Sequence, residues 1–509
     1  MHDTPYHDAV IVGAGFGEIY QLYSLLKLGL SVRGLEKGDD LGGTWFWNRY
    51  PGTMSDTQSF LYRYSWDKED ISTYPWAENY LDAKEILSYL NHVVKRHNLR
   101  EHVQFGVEVL SAKWQEADGM WLVGTQRGPY RARYLITSIG LLSERVGVIG
   151  NGSTGVQLIT KLGKEEQVKS LVCFQRHPQY SVPAGKRAVT KEERELINST
   201  YDDIWARARL SFGGMGVEES KTPAMSVTPE ERERIYQSAW DEGGGIRFFR
   251  GTFSDLTVNE QANQTACDFI KRKFGQIVKD PVKRQKLLPT ELYIRRPLCG
   301  TGYYEQFNRD NVDIVDIGHN PIAEFVGGGI RLSDGTIHEL DVVICETGVN
   351  AFDGAYRKIH IHGRDGLLLN DHRAKGATSN MGVSVPNFPN LLMILGPQSP
   401  LGNVPPMIEA QVDFITAAIS RAEGHRRQKA DPSSPPITIE TTAQGEDEWG
   451  RLCAELSDKT LFKKSPSYFY GANVEGKVRS VLIFLCGLGP LVQKLRESRE
   501  GGFTGFHLF

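Results

Sequence analysis

The stretch Arg133–Gln157, RYLITSIGLLSERVGVIGNGSTGVQ, decides how this chain is organised. RYLITSIG reads as the last strand of one nucleotide-binding unit. RVGVIGNGSTG reads as the first strand and glycine turn of another. Only Leu141 to Glu144 lie between them. A strand that closes one unit, followed at once by a strand that opens the next, marks a domain crossing.

Upstream, Asp8–Gly38 (DAVIVGAGFGEIYQLYSLLKLGLSVRGLEKG) repeats the same grammar. AVIV is a short apolar run of buried-strand type. IYQLYSLLKLGL carries apolar residues at helical spacing and stops at Gly29. SVRGLEKG is the second strand. Downstream of the crossing come RVGVIG, a glycine turn, VQLITKLG and SLVCFQRHP. Two β-α-β units predict an α/β fold with two Rossmann-like, doubly wound dinucleotide-binding domains.

Between about 187 and 290 the composition shifts to charged helical patterns with glycine and proline punctuation. Thr228 is a predicted N-cap, with Pro229 first in the helix, Glu231 completing a capping box and Gly243–Gly245 ending it. Another helix starts at Asp280. This region reads as a helical insertion in the second unit. IRLSDGTIHELDVVICETG (330–348) returns to strands through an Asp334-Gly335 hairpin turn. It ends at Thr347-Gly348, near where such chains return to the first domain. The predicted division is 1–143 for the first domain, 144–340 for the second, and 341–509 for the rest of the first domain with a C-terminal segment.

The bulk numbers bound the function. A chain of 509 residues holds two or three domains, and 40% hydrophobic with 24% charged residues is ordinary globular composition. A net charge of −3 without a dense basic block argues against nucleic acid as partner. Six scattered cysteines without CxxC spacing suit a reducing, cytoplasmic setting and hold no metal pattern. The N-terminus enters a strand with no charged-then-apolar leader. VLIFLCGLGPLV (481–492) is too short to span a bilayer and reads as core, with peripheral membrane contact as the alternative. The Asn-x-Ser/Thr triplets at Asn151, Asn198 and Asn263 read as chance matches. HRRQKADPSSPP (425–436) reads as a solvated surface loop.

Chemistry is carried first by Gly13 and Gly15. A glycine turn between strand and helix aims backbone N–H groups and the positive helix end at a pyrophosphate. Glu36, ending the second strand, is placed to accept hydrogen bonds from ribose hydroxyls, which suits an adenosine without a 2′-phosphate. The third glycine position holds Glu18. Either it faces the ligand and weakens binding, or a rotated helix points it to solvent. The second fingerprint is complete: Gly150, Gly152, Ser153, Thr154 and Gly155. Arg176 stands about where the acid would be, which favours a 2′-phosphate and hence NADPH. Ser153 is no hydrolase nucleophile, because the glycine two residues before it that an elbow needs is missing.

Opposite ribose preferences predict FAD in the first unit and NADPH in the second. Here the sequence resembles a family. GGTWFWNRYPGTMSD (42–56), YIRRPLCGTGYYEQFNRDNV (293–312) and FPNLLMILGPQSP (388–400) look like the type I Baeyer–Villiger monooxygenases, closest in flavour to fungal members of secondary metabolism. The resemblance implies FAD, NADPH, O2 and a ketone substrate, with oxygen inserted beside the carbonyl to give an ester or lactone. It places Arg296 on the active-site arginine and Asp56 on the carboxylate that positions it. Arg295 falls on a basic position facing the NADPH phosphate. Trp45, Trp47 and Tyr62 fall on aromatics of the flavin and nicotinamide region. Gly43, Thr44 and Gln398 fall among the cofactor-binding positions of the same motifs. Negative charge developing during oxygen insertion needs a donor that never loses its proton, which arginine supplies.

The chain also departs from the family. The fingerprint FxGxxxHTxxWP, carried on a connection of some tens of residues, is absent. Leu141 to Glu144 stand in its place and reach only about 14 Å when extended. Ser138-Ile139-Gly140 replaces one usual ATG, and Glu346-Thr347-Gly348 replaces another. Three explanations are open: an active member with a compact hinge, a degenerate member, or a sequence lacking an exon. The alternatives in function are a flavin hydroxylase or epoxidase, an NADPH oxidase releasing peroxide, and a non-catalytic flavoprotein-like binding module.

Overall fold

The computed structural model describes residues 4–47, 53–55, 57–137, 148–164, 170–340, 342–346, 350, 352–428, 437–474 and 476–508. Asp56, Ser138-Ile139-Gly140, Leu141 to Glu144, the start of RVGVIG and Thr347-Gly348 lie outside these residues.

The first unit is built on one sheet. Its central strand, Tyr6–Val12, lies between Val32–Glu36 and Gly128–Thr137 and runs parallel to both. Ala9, Val10 and Ile11 are at most 1% exposed, which is why AVIV carries no polar alternation. The helix Phe16–Lys27 follows the glycine turn, and Gly29, at φ +77°, ends it in a conformation that side chains disfavour. Val103–Phe105 extends the parallel edge. Val109–Gln115, Met120–Thr125 and Gly128–Thr137 form an antiparallel meander that the sequence reading did not resolve.

The chain returns to this sheet late. Leu391–Met393 pairs in parallel with Gly128–Thr137, Leu391 against Leu135 and Met393 against Thr137. The long helix Val404–Gln428 then packs on Phe16–Lys27, with the Tyr20 hydroxyl donating to Asp413 at 2.9 Å. Residues 425–428 belong to this helix. The first four residues of the expected 425–436 loop are therefore helix, with Arg426 held by Glu423, one turn back, at 2.8 Å, and 429–436 lie outside the described residues.

In the second unit, the helix Ser153–Leu162 leads to Leu171–Gln175, which pairs in parallel with Val312–Asp316. Among the described residues of the opening strand, Val148 bridges Cys345 and Ile149 bridges Phe174. Gly329–Leu332 and Ile337–Glu339 form the expected hairpin, with Gly335 at φ +86°. The insertion is helical, with Pro229–Glu242 and Glu260–Ile277 as its longest elements. The capping box at Thr228 is only half made. The hydroxyl accepts from the Glu231 N–H at 3.2 Å, but the Glu231 carboxylate turns to Arg234 at 2.6 Å, where a charged partner outcompetes a backbone donor. Leu482 and Ile483 are fully buried against the insertion, so 481–492 opens as core. No helix among the described residues is long and apolar enough to cross a membrane.

Candidate active site

The two glycine turns, the insertion and the C-terminal segment enclose one cavity of about 1950 Å³. A single small ligand occupies a few hundred to about 1000 Å³, so this space suits two dinucleotides and a substrate. Gly13, Gly15, Glu36, Gly43 and Thr44 line it from the first unit, with Trp45 and Tyr62 beside them. Gly150, Gly152, Ser153, Thr154 and Arg176 line it from the second, and Arg295 and Arg296 from the segment after the insertion.

Two expected cofactor residues stand back from the cavity wall. Gly155 packs behind its turn: a Cβ there would come within 2.3 Å of the Gly150 carbonyl oxygen, so only glycine lets the helix start this close. Gln398 is 3% exposed, and its amide accepts from the Ser379 N–H at 3.3 Å and donates to the Val481 carbonyl at 3.4 Å. It ties two C-terminal segments together.

At the first turn, Gly13 has φ +111° and donates its N–H to the Leu35 carbonyl at 2.8 Å. Gly43 meets Gly15 so closely that a Cβ on it would lie 3.0 Å from the Gly15 Cα. The Glu36 carboxylate accepts from the Gly38 N–H at 2.7 Å, while burial pushes its pKa above the usual range. Trp45 donates its indole N–H to the Tyr62 hydroxyl at 3.1 Å, and both rings are 8% exposed. Trp47 is 54% exposed and lines the same cavity.

Glu18 does not point to solvent. It is 5% exposed, and its carboxylate accepts from the Gly15 N–H at 3.1 Å. One carboxylate oxygen lies 2.0 Å from where a Gly13 Cβ would sit. The first turn of a helix leaves N–H groups without intrahelical partners, and an acid at the third position satisfies one.

The second turn repeats the arrangement from a distant part of the chain. A Cβ on Gly150 would lie 2.0 Å from the Glu346 carbonyl oxygen. The Glu346 carboxylate accepts from the Gly152 N–H and the Thr154 hydroxyl. Burial pushes its pKa up to about 7, against the lowering effect of those hydrogen bonds and of Arg296. In the sequence Glu346 is visible only as a departure from the usual ATG; its place in this turn depends on the fold. Asn151 donates inward to Gln175 at 2.9 Å and to the His177 carbonyl at 3.0 Å, which leaves no glycan acceptor there. Arg176 is exposed at the end of Leu171–Gln175. Arg295 is held by Glu291 at 2.8 Å and by Ser465 at 3.0 Å.

Two glycine turns on two β-α-β units, opening into one cavity with adjacent arginines, define a flavoprotein that uses a second dinucleotide. The flavin-binding monooxygenase-like family pattern matches residues 7–137. The Baeyer–Villiger monooxygenase of Pseudooceanicola batsensis is 42% identical over 98% of this chain and 95% of its own. The cyclohexanone 1,2-monooxygenase of an Acinetobacter species is 40% identical, covering 98% and 96%. The NADP+-bound crystal structure of cyclohexanone monooxygenase from Rhodococcus sp. Phi1 superposes with a TM-score of 0.94 at 44% identity, covering 99% of each chain. The chain belongs to the type I Baeyer–Villiger monooxygenase family, enzymes that use FAD, NADPH and O2.

Proposed function

We propose that this enzyme oxidises a ketone to an ester or lactone in the cavity between the two turns, with Arg296 carrying the chemistry. The observation that supports this most is the presence of Arg296 on the wall that also holds both glycine turns. FAD, reduced by NADPH, supplies the electrons and the oxygen-activating ring. The residues fit both groups: each turn offers helix N-terminal N–H groups, and the cavity is large enough for both. Gly13 and Gly15 would face the FAD diphosphate, Glu36 its ribose, and Gly43, Thr44, Trp45 and Tyr62 the rest of the molecule. Gly150, Gly152, Ser153 and Thr154 would face the NADPH diphosphate, with Arg176 at the 2′-phosphate and Arg295 braced nearby. Arg296 would hold the negative charge that develops on oxygen, positioned by Asp56.

The division into 1–143, 144–340 and 341–509 belongs to the same proposal. It is supported by the late strand Leu391–Met393 joining the sheet of Tyr6–Val12. A cytoplasmic location suits the six free cysteines. The test is the absorbance spectrum of the purified protein with and without NADPH, followed by product analysis with ketones. An ester or lactone supports the reading; an alcohol or free peroxide alone sinks it.

A second reading has its own observation. Both turns hold a carboxylate of this chain, Glu18 and Glu346, against the donors a diphosphate needs. This favours a protein that holds its cofactors weakly. Purified protein without flavin absorbance, even after incubation with FAD, would support it.

Two expectations follow for the second turn. Arg176→Ala should raise KM for NADPH about tenfold to a hundredfold and leave NADH unchanged, because only NADPH has the 2′-phosphate. Steady-state kinetics with both nucleotides checks this. Glu346 is neutral below about pH 7 and anionic above it. An anion beside a diphosphate repels it, so NADP+ affinity should fall as pH rises through 7, by up to about tenfold per unit. Glu346→Gln should flatten that slope. Titrations of NADP+ between pH 6 and 9 decide it; equal slopes would clear Glu346.

A further inference from the structure

We propose that Arg250 binds an anionic group of the substrate, so that the ketone this enzyme prefers carries a carboxylate. The inference rests on the proposed oxidation of a ketone in this cavity and adds the substrate's charge.

Arg250 lies in a single π-helical turn, Arg247–Gly251, within the insertion. Its carbonyl accepts from the Ser220 N–H at 2.9 Å, which fixes the backbone. Its guanidinium faces the cavity, 3.7 Å from the ring centre of Phe212 and 5.5 Å from that of Phe249. Met215 and Val217 line the cavity with it. Among the described residues the guanidinium has no hydrogen-bond or ion-pair partner. Nearby arginines differ: Arg247 pairs with Glu242 at 2.9 Å and Arg295 with Glu291 at 2.8 Å. The acid whose charge favours Arg250 is Glu219, but its carboxylate is engaged with the Phe212 N–H at 2.7 Å.

A charge on an apolar wall is costly unless something pairs with it. Burial pulls the Arg250 pKa down to about 10, against the raising effect of Glu219, and the group keeps its charge at neutral pH. The aromatic faces offset part of the cost. They take none of its five N–H donors, which leaves those donors for a planar acceptor. A carboxylate matches that fork with two parallel hydrogen bonds. Arg250 contacts Phe212 and Phe249 of the insertion, whereas the two glycine turns and Arg176, proposed to face nucleotide phosphates, stand outside it, as does Arg295, which Glu291 already holds. Substrate is therefore the favoured source of the anion, with the NADPH phosphates as the competing source.

The test compares cyclohexanone with 4-oxocyclohexane-1-carboxylate, a matched neutral and anionic pair. Binding to the full-length, FAD-supplemented protein is measured by calorimetry or saturation-transfer NMR, and products are analysed separately. Wild type should bind the keto acid at least tenfold more tightly than the neutral ketone. Arg250→Met should lose that preference and keep its affinity for the neutral ketone within about threefold. Arg250→Lys should retain part of the preference, which separates lost charge from lost folding. A wild type without preference, or an Arg250→Met protein that retains it, overturns the assignment. So does an Arg250→Met protein that weakens NADP+ binding and leaves keto-acid binding intact. Arg250-dependent binding without any oxygenated product would keep this assignment and sink the proposed oxidation.

Discussion

Arg296→Ala should go on oxidising NADPH and stop making ester or lactone. Insertion places negative charge on the attacking oxygen and then on the former carbonyl oxygen. Preorganised donors act on such charge in a site that excludes water, and losing one typically costs about 10²–10³ in rate, or about 2.7–4 kcal/mol. Hydride delivery to the flavin needs alignment of two rings and no developing oxyanion, so it should survive. The expected signature is a split: NADPH consumption within a few-fold of wild type, product down at least a hundredfold, and hydrogen peroxide appearing instead. Arg296→Lys should recover only part of the product, because an ammonium lacks the planar fork. A purely structural arginine would lower flavin content and both rates together. Normal ester formation by the alanine variant would show that Arg296 has no part in insertion.

Glu18→Gly should raise flavin affinity by about tenfold to a hundredfold, which is about 1.4–2.8 kcal/mol. The carboxylate accepts the Gly15 N–H and lies against Gly13, so it competes with a diphosphate for donor and space. Two unit charges about 4 Å apart repel by about 4 kcal/mol at an effective dielectric of 20. Part of that is recovered if the side chain swings away, which sets the lower figure. Glu18→Gln separates the causes: it keeps the bulk and removes the charge. If charge dominates, both variants bind flavin better; if bulk dominates, only glycine does. The flavin-to-protein absorbance ratio and quenching of free FAD fluorescence read this directly. Unchanged FAD affinity in both variants would show that Glu18 moves aside at no cost. The cofactor-free Glu18→Gly variant should lose some stability, at about 1 kcal/mol, because it removes the side chain that accepts the Gly15 N–H and puts a glycine in the first turn of the Phe16–Lys27 helix; Glu18→Gln keeps that acceptor.

Much of the dinucleotide architecture was legible because it is local. A buried strand, a turn that needs positive φ and a helix stop are each set by a few neighbouring residues. Gly13, Gly29 and Gly150 adopt the conformations that their places in the pattern demand. The helix caps at Thr228 and Asp280 are local too, and both form. The reading weakened where partners are distant or choices compete. Glu231 could serve the cap or an arginine, and the arginine won. The side-chain partners of Gln398, Ser379 and Val481, come from segments that its motif does not contain. The meander between Val109 and Thr137 was not identified beyond the end of its last strand, because polar and charged residues such as Ser111, Lys113 and Gln115 interrupt its apolar pattern.

By itself the sequence determined two glycine turns, their strand-helix surroundings, the charge at the end of each second strand and the family motifs. Tertiary structure alone decided what fills those turns. Glu346 lies far along the chain from Gly152, and only folding brings its carboxylate to that helix end and raises its pKa to about 7. Likewise, only folding leaves the Arg250 guanidinium on an aromatic wall with no hydrogen-bond or ion-pair partner among the described residues. Backbone geometry follows from sterics within a few residues. Burial, and the cost or use of a buried charge, depends on which remote segments close over it.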